Sequence, residues 1–190
     1  MSSITLGTIK AGLGEEDTVK IDKNLKVNED LQVTGKIINR RNIEMARNNS
    51  RLEYSGTSWQ DIQDMSVTIT ISEGGRASLR CYGILSNTST DRGGFIRIVR
   101  VGADENLFTG EESSNRAQIC TGTYQNPSSI VNWTAFSFEV IDDLPGAGTF
   151  TYKLQIASPD TTTVTIGGRG NDTDNFYGVR APTILIVEEV

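Results

Sequence analysis

Short apolar stretches alternate with polar residues along most of the chain, at a period of two. Val67, Ile69 and Ile71 alternate with Thr68 and Thr70. Phe136, Phe138 and Val140 share one parity, and Phe150, Tyr152, Leu154 and Ile156 alternate with Thr151, Lys153 and Gln155. A period of two is that of a strand with one buried face. Glu73-Gly74-Gly75, Leu144-Pro145-Gly146 and Gly167-Gly168 supply turns between such runs. The pattern predicts about eight to ten short strands over residues 54–190, and so an all-β sandwich or jelly roll.

Two runs break the alternation. Phe95 through Val101 is apolar on both parities apart from Arg97 and Arg100, and Ile184 through Val187 is apolar throughout. An isolated antiparallel sandwich keeps a polar outer face. Phe95, Val99, Val101, Leu185 and Val187 therefore compete with their neighbours for the inside. A subunit interface is expected to cover the surplus; loops or the N-terminal segment are the other possible cover.

Residues 17–38 carry a different period. Val19, Leu25, Leu31 and Ile37 recur every six residues, and Ile21, Val27 and Val33 follow two places later. Between the apolar pairs lie Asp22-Lys23-Asn24, Asn28-Glu29-Asp30 and Thr34-Gly35-Lys36. This reads as strand and turn repeated, the pattern of stacked β architectures. Three hexads make only about one coil, which has no neighbour to stack on. The missing surface is expected from other copies of the same chain, with Leu25, Val27, Leu31 and Val33 facing a shared axis. Residues 1–16 read as a Gly-rich flexible leader or the lower end of a longer fibre. Residues 39–53 read as a collar, with a short helix suggested by the spacing of Ile38, Met45 and Leu52, or as a polar linker.

Composition narrows the class. The chain has 190 residues, enough for one main domain with a small appendage, and a net charge of −6. That charge disfavours nucleic acid and anionic membrane surfaces as partners. Two cysteines, Cys81 and Cys120, do not make a disulfide scaffold. They read as free thiols or one bridge. No run approaches the roughly 20 apolar residues of a membrane span. The N-terminus shows no secretory signal, so synthesis in the cytosol is expected.

Candidate chemistry is sparse. There are no histidines, which removes Ser-His-Asp, Cys-His and His-ligated metal sites. Asp142 and Asp143 are adjacent, so on a strand they point to opposite faces and suit a turn better than acid–base work. The loop 167–175 holds Asp172 and Asp174 but lacks the spacing of a calcium loop. No enzyme activity, metal or cofactor is expected. Trp59, Tyr124, Trp133, Phe176 and Tyr177 are aromatics that could stack on sugars, with Trp133 expected to be structural because it begins a core-like strand. Recognition is expected in loops 86–94, 103–115 and 122–130. Asn87, Asp91, Arg92, Tyr124, Gln125 and Asn126 are the candidate contact residues.

Two stretches carry a family resemblance. Tyr54-Ser55-Gly56-Thr57-Ser58-Trp59-Gln60-Asp61-Ile62, leading into Ser66-Val67-Thr68-Ile69-Thr70, resembles the opening of C1q/TNF-like heads on phage tail fibres. Residues 138–154 and the ending Tyr177-Gly178-Val179-Arg180-Ala181-Pro182-Thr183-Ile184-Leu185-Ile186-Val187 are similar to the second half of such heads. The hexad stretch resembles a fibre shaft. The resemblance implies a homotrimeric jelly roll at the tip of a phage or phage-like fibre, with no catalytic residues. It implies a receptor-binding protein for attachment to a cell-surface glycan or protein, carried on the virion or another extracellular particle. A tail or baseplate protein is the implied partner at the N-terminal end. The alternative is a structural trimerisation or folding knob of a fibre or a non-viral adhesin, with no receptor binding of its own.

Overall fold

The structure, a computed structural model, describes residues 41–89, 93–104, 107–111, 116–124, 133–143, 146–170 and 179–190. The expected leader 1–16 and shaft 17–38, and with them Leu25, Val27, Leu31 and Val33, lie outside the described residues.

Ten strands and no helix are found among the described residues. They are β1 (Ile43–Asn48), β2 (Leu52–Ser55), β3 (Gln60–Ile71), β4 (Ala77–Asn87), β5 (Gly93–Arg100), β6 (Thr121–Tyr124), β7 (Trp133–Asp142), β8 (Gly148–Ala157), β9 (Thr163–Ile166) and β10 (Thr183–Glu189). One sheet runs β1-β10-β4-β9-β2, with β7 on the other side of β4; the second runs β3-β8-β5-β6. Every pairing is antiparallel, and the pairs are nested. β1 joins β10, β2 joins β9, β3 joins β8, β4 joins β7 and β5 joins β6. A single long hairpin closed at β5–β6 and folded into two layers has this nesting. It is a jelly-roll-like β sandwich.

The period-two pattern explains the layers. Val67, Ile69 and Ile71 of β3 and Tyr152, Leu154 and Ile156 of β8 enter the core. Their neighbours stay outside, where Thr68 pairs Thr151 at 2.8 Å and Thr70 pairs Thr149 at 3.0 Å through their hydroxyls. Leu79, Cys81, Leu85, Leu185 and Val187 face them from the first sheet, all but inaccessible to solvent. Each fully buried Leu or Ile contributes about 1.5–3 kcal/mol over its exposed state. A bulge between Asp61 and Ser66, with Asp64 at φ 59°, lets both Ile62 and Met65 turn inward.

The stretch 39–53 corrects the expectation of a collar or linker. It holds β1 and the start of β2, so the sandwich begins at Ile43, before residue 54. The pattern concealed the strand because its large apolar residues face out. Ala46 and Asn48 point inward and are buried, whereas Ile43 and Met45 are exposed. Asn48 survives burial by donating to the Gln63 carbonyl at 3.1 Å and accepting from the Ser50 amide at 2.7 Å.

The two apolar runs resolve differently. Leu185 and Val187 belong to the core. Phe95 and Val99 lie on the outer side of β5, half-buried and buried. Val101, just past β5, is exposed.

Candidate functional site

The outer face of the β1-β10-β4-β7 sheet carries most of the exposed large apolar side chains among the described residues. Strand parity and register build it. Met45 lies beside Ile186, which lies beside Arg80, which lies beside Glu139. The flanking rows are Ile43, Glu188, Ser78, Ile141 and Arg47, Ile184, Tyr82, Ser137. Ile43 is 56%, Met45 57%, Tyr82 39%, Trp133 44% and Ile141 45% exposed. Five of the seven exposed large apolar side chains among the described residues thus sit on one sheet; Val101 and Leu107 are the others.

A polar centre interrupts this apolar field. Arg80 donates to Glu188 at 2.5 Å, and Ser78 donates to Glu139 at 2.6 Å. The Arg80 Nε is buried without a hydrogen-bond partner among the described residues. Trp133, expected to be structural, is instead exposed at the start of β7, because its parity matches the outward residues Ala135 and Ser137 rather than Phe136 and Phe138.

The sandwich has two distinct ends. The described chain starts at Arg41, where Asn42 donates to the Thr70 carbonyl at 2.8 Å and accepts from the Glu189 amide at 2.9 Å. The opposite end carries the close of β4, the start of β5, the close of β6 and the start of β7. The loops 86–94 and 122–130 therefore leave from the end away from Arg41.

Of the six candidate contact residues, the structure corrects one. Asn87 is fully buried and cannot touch a receptor. Its Nδ2 donates to the Gly93 carbonyl at 2.8 Å and to Thr162 at 3.0 Å, and its Oδ1 accepts from the Ser89 amide at 2.9 Å. It fastens the turn after β4, a role its polarity disguised. Gly170 packs against it so closely that a Cβ there would lie 2.2 Å from the Asn87 carbonyl oxygen. Tyr124 ends β6, paired with Gly93. Asp91, Arg92, Gln125 and Asn126 lie outside the described residues, as do Asp172, Asp174, Phe176 and Tyr177.

Asp142 and Asp143 part company as strand geometry requires. Asp142 is buried against Arg100 and Tyr152, whereas Asp143 is exposed, 3.6 Å from Arg76.

One concavity holds a single aromatic candidate, Trp59. A pocket of about 300 Å³ is lined by Thr57, Trp59, Phe95, Ala117, Ala157 and Pro159. Trp59 is half-buried just before β3, with the Arg97 guanidinium carbon 4.4 Å from its ring centroid. Arg97 Nε donates to Gln155 at 2.8 Å, Gln155 Nε2 donates to Asp61 at 2.7 Å, and Lys153 donates to Asp61 at 2.6 Å. The Lys153 bond, then that of Gln155, holds the Asp61 carboxyl below the usual carboxylate range.

The chain matches no protein-family model and no curated protein. Among solved structures it is similar to a chain of infectious bursal disease virus Gx strain, at 10% identity over 79% of this chain and 36% of that one, with a TM-score of 0.40. A family two carbohydrate esterase from Cellvibrio japonicus is similar at 9% identity over 80% of this chain and 35% of that one, TM-score 0.26. The tripod from the baseplate of bacteriophage Tuc2009 is similar at 12% identity, over 94% of this chain and 83% of that one, TM-score 0.22. The chain spans little more than a third of the first two. Likenesses this remote carry no argument about function.

Proposed function

We propose that this chain is the head of a homotrimeric attachment protein of the C1q/TNF-like kind, serving a phage tail or phage-like injection apparatus and performing no catalysis. The observation that carries this reading is the uncovered apolar face of β1, β10, β4 and β7. Ile43, Met45, Tyr82, Trp133 and Ile141 remain in water unless another molecule covers them. A second copy of the same chain is the economical cover. Three copies agree with the resemblance and with the hexads of residues 17–38. Obligate interfaces of this sort resemble a core cut in half and often bury more than about 2,000 Å². The shared sheet faces leave the loops at the end away from Arg41 free, and a closed three-fold assembly presents each loop three times. Weak sites linked in this way gain avidity.

The burial of Asn87 favours the knob alternative for the 86–94 loop alone, since part of that loop is committed to structure. Residues 125–130 remain the better place to look. The experiment is a binding assay of labelled protein on host cells, comparing the native chain with one in which 125–130 are exchanged for Gly and Ser. β6 ends at Tyr124, so the exchange spares the sheet. Binding by the native chain, lost on exchange with the oligomer intact, supports attachment through this loop. Absence of native binding favours the knob.

A further inference from the structure

We infer that the pocket beside Trp59 is a saccharide subsite that takes a single neutral pyranose ring. The inference rests on the attachment reading for the source of the sugar, a cell-surface glycan, and on the geometry for the site itself.

Trp59 behaves unlike a core tryptophan. It is absent from the cluster of buried apolar residues and keeps part of its surface in the open pocket. Polar side chains hold it in place. Arg97, itself buried, lies over the ring, and Gln155, Asp61 and Lys153 continue the chain of hydrogen bonds across β8 and β3. An aromatic ring stacked on a guanidinium that hydrogen bonds hold in place is a preorganised platform. That platform stands on the outer side of the second sheet.

The chemistry of the lining selects the ligand. A pyranose has a face of C–H bonds and a rim of hydroxyls. Trp59 and Phe95 supply apolar aromatic surface, and Thr57 and Ser158 are the lining residues that carry hydroxyls. About 300 Å³ lies at the lower end of ligand pockets, room for one ring and too little for a helix or a folded peptide. The charged groups nearby stand outside the lining: Arg97 is buried, bonded to Gln155 and stacked on the indole, and Asp61 is bonded to Lys153 and Gln155. Among the described residues the pocket lining carries no charged side chain to pair with a phosphate or an acidic sugar, so the ring is neutral.

Placement agrees with use in an assembly. The pocket belongs to the sheet opposite the apolar face, so a trimer built on that face leaves three pockets open. It also lies toward the end away from Arg41, where β3 starts and β8 closes.

Saturation-transfer NMR on the full chain tests this with four probes: glucose, galactose, N-acetylglucosamine and rhamnose. At least one is expected to receive saturation on its ring C–H protons, with a dissociation constant of about 1–10 mM. Trp59→Ala should weaken that binding at least tenfold. Ala117 is exposed, so Ala117→Phe fills the pocket without removing core packing, and it should weaken binding as much. The second variant decides the matter if the first fails to fold. Silence from all four sugars overturns the inference, as does transfer that Ala117→Phe leaves unchanged. Cell binding by the native chain with all four sugars silent removes the pocket and leaves attachment standing. Sugar binding at the pocket without cell binding does the reverse.

Discussion

Arg100 and Asp142 join the two sheets through a buried ion pair. Arg100 Nη1, on β5, donates to both carboxylate oxygens of Asp142, on β7, at 2.6 and 2.5 Å. The Tyr152 hydroxyl, on β8, donates to the same carboxylate at 2.8 Å. Burial, and then the bond to Asp142, pushes the Tyr152 phenol above its ordinary range, so it stays a donor. All the carboxylate's visible partners come from the opposite sheet.

Asp142→Asn should therefore destabilise the sandwich by about 3–5 kcal/mol, because Arg100 is left with an uncompensated charge out of water. Tyr152→Phe should cost less, about 1.5–3 kcal/mol, from one lost hydrogen bond to a charged acceptor that keeps its bond from Arg100. Urea unfolding followed by tryptophan emission measures both. Equal losses from the two variants would show that the charge pair adds nothing beyond a hydrogen bond.

Asn87→Ala should lower stability by about 1–3 kcal/mol, since the Gly93 carbonyl and the Ser89 amide lose their partner inside the fold. Thermal unfolding checks it. A variant as stable as the native chain would return Asn87 to the list of free loop residues.

Much of this fold was legible from alternation alone. β8, the second half of β3 and the middle of β7 announce themselves, because their inward positions are large and apolar and their outward ones are Thr, Ser, Lys, Gln or Glu. β1 was not legible, because the rule is inverted there. Ala46 and Asn48 go in, and Ile43 and Met45 stay out. An exposed apolar strand face looks, in sequence, like a core face. For the same reason Trp133 read as core. On the β10 run the surplus resolves into Leu185 and Val187 inside and Ile184 and Ile186 half-buried on the outward face. The surplus on β5 is instead shielded locally, with Ala117 and Trp59 sharing the pocket that Phe95 lines. The Trp59 platform had no signature of its own, since Arg97, Gln155 and Asp61 are brought together only by the register of β5, β8 and β3. Asn87 was misread because a polar residue in a turn can serve the turn or a ligand, and only burial separates the two.

The acid limb of stability should carry a contribution from Asp61. Its carboxyl is held below its ordinary value of 3.8, first by the Lys153 bond. A depressed carboxyl stabilises the fold above the unfolded value and loses that contribution as pH falls through the folded one. Both partners are more than a third exposed, so solvent screening keeps the effect under about 1 kcal/mol. Asp61→Asn should be less stable than the native chain at roughly pH 6 and no different at roughly pH 2. A gap that persists at the lower pH would assign it to packing.

Both thiols should resist alkylation in the native state. Burial pushes Cys81 far above the ordinary thiol range, and it raises Cys120 as well. Thiolate is the reactive form. Mass spectrometry after iodoacetamide treatment at about pH 8 should find Cys81 unmodified until denaturant is added. Rapid native labelling of Cys81 would mean that the core opens there.

The mass of the native chain in solution bears most directly on the uncovered sheet face. Sedimentation equilibrium should find three times the 20.7 kDa of one chain. Met45 and Ile186 lie side by side on the outward face, so Met45→Glu with Ile186→Glu leaves the core intact and sets unpaired charges into the interface. That variant should sediment as a folded single chain with an unchanged β-sheet circular dichroism spectrum. A native mass of 20.7 kDa, or of two chains, would contradict a trimer assembled on this face.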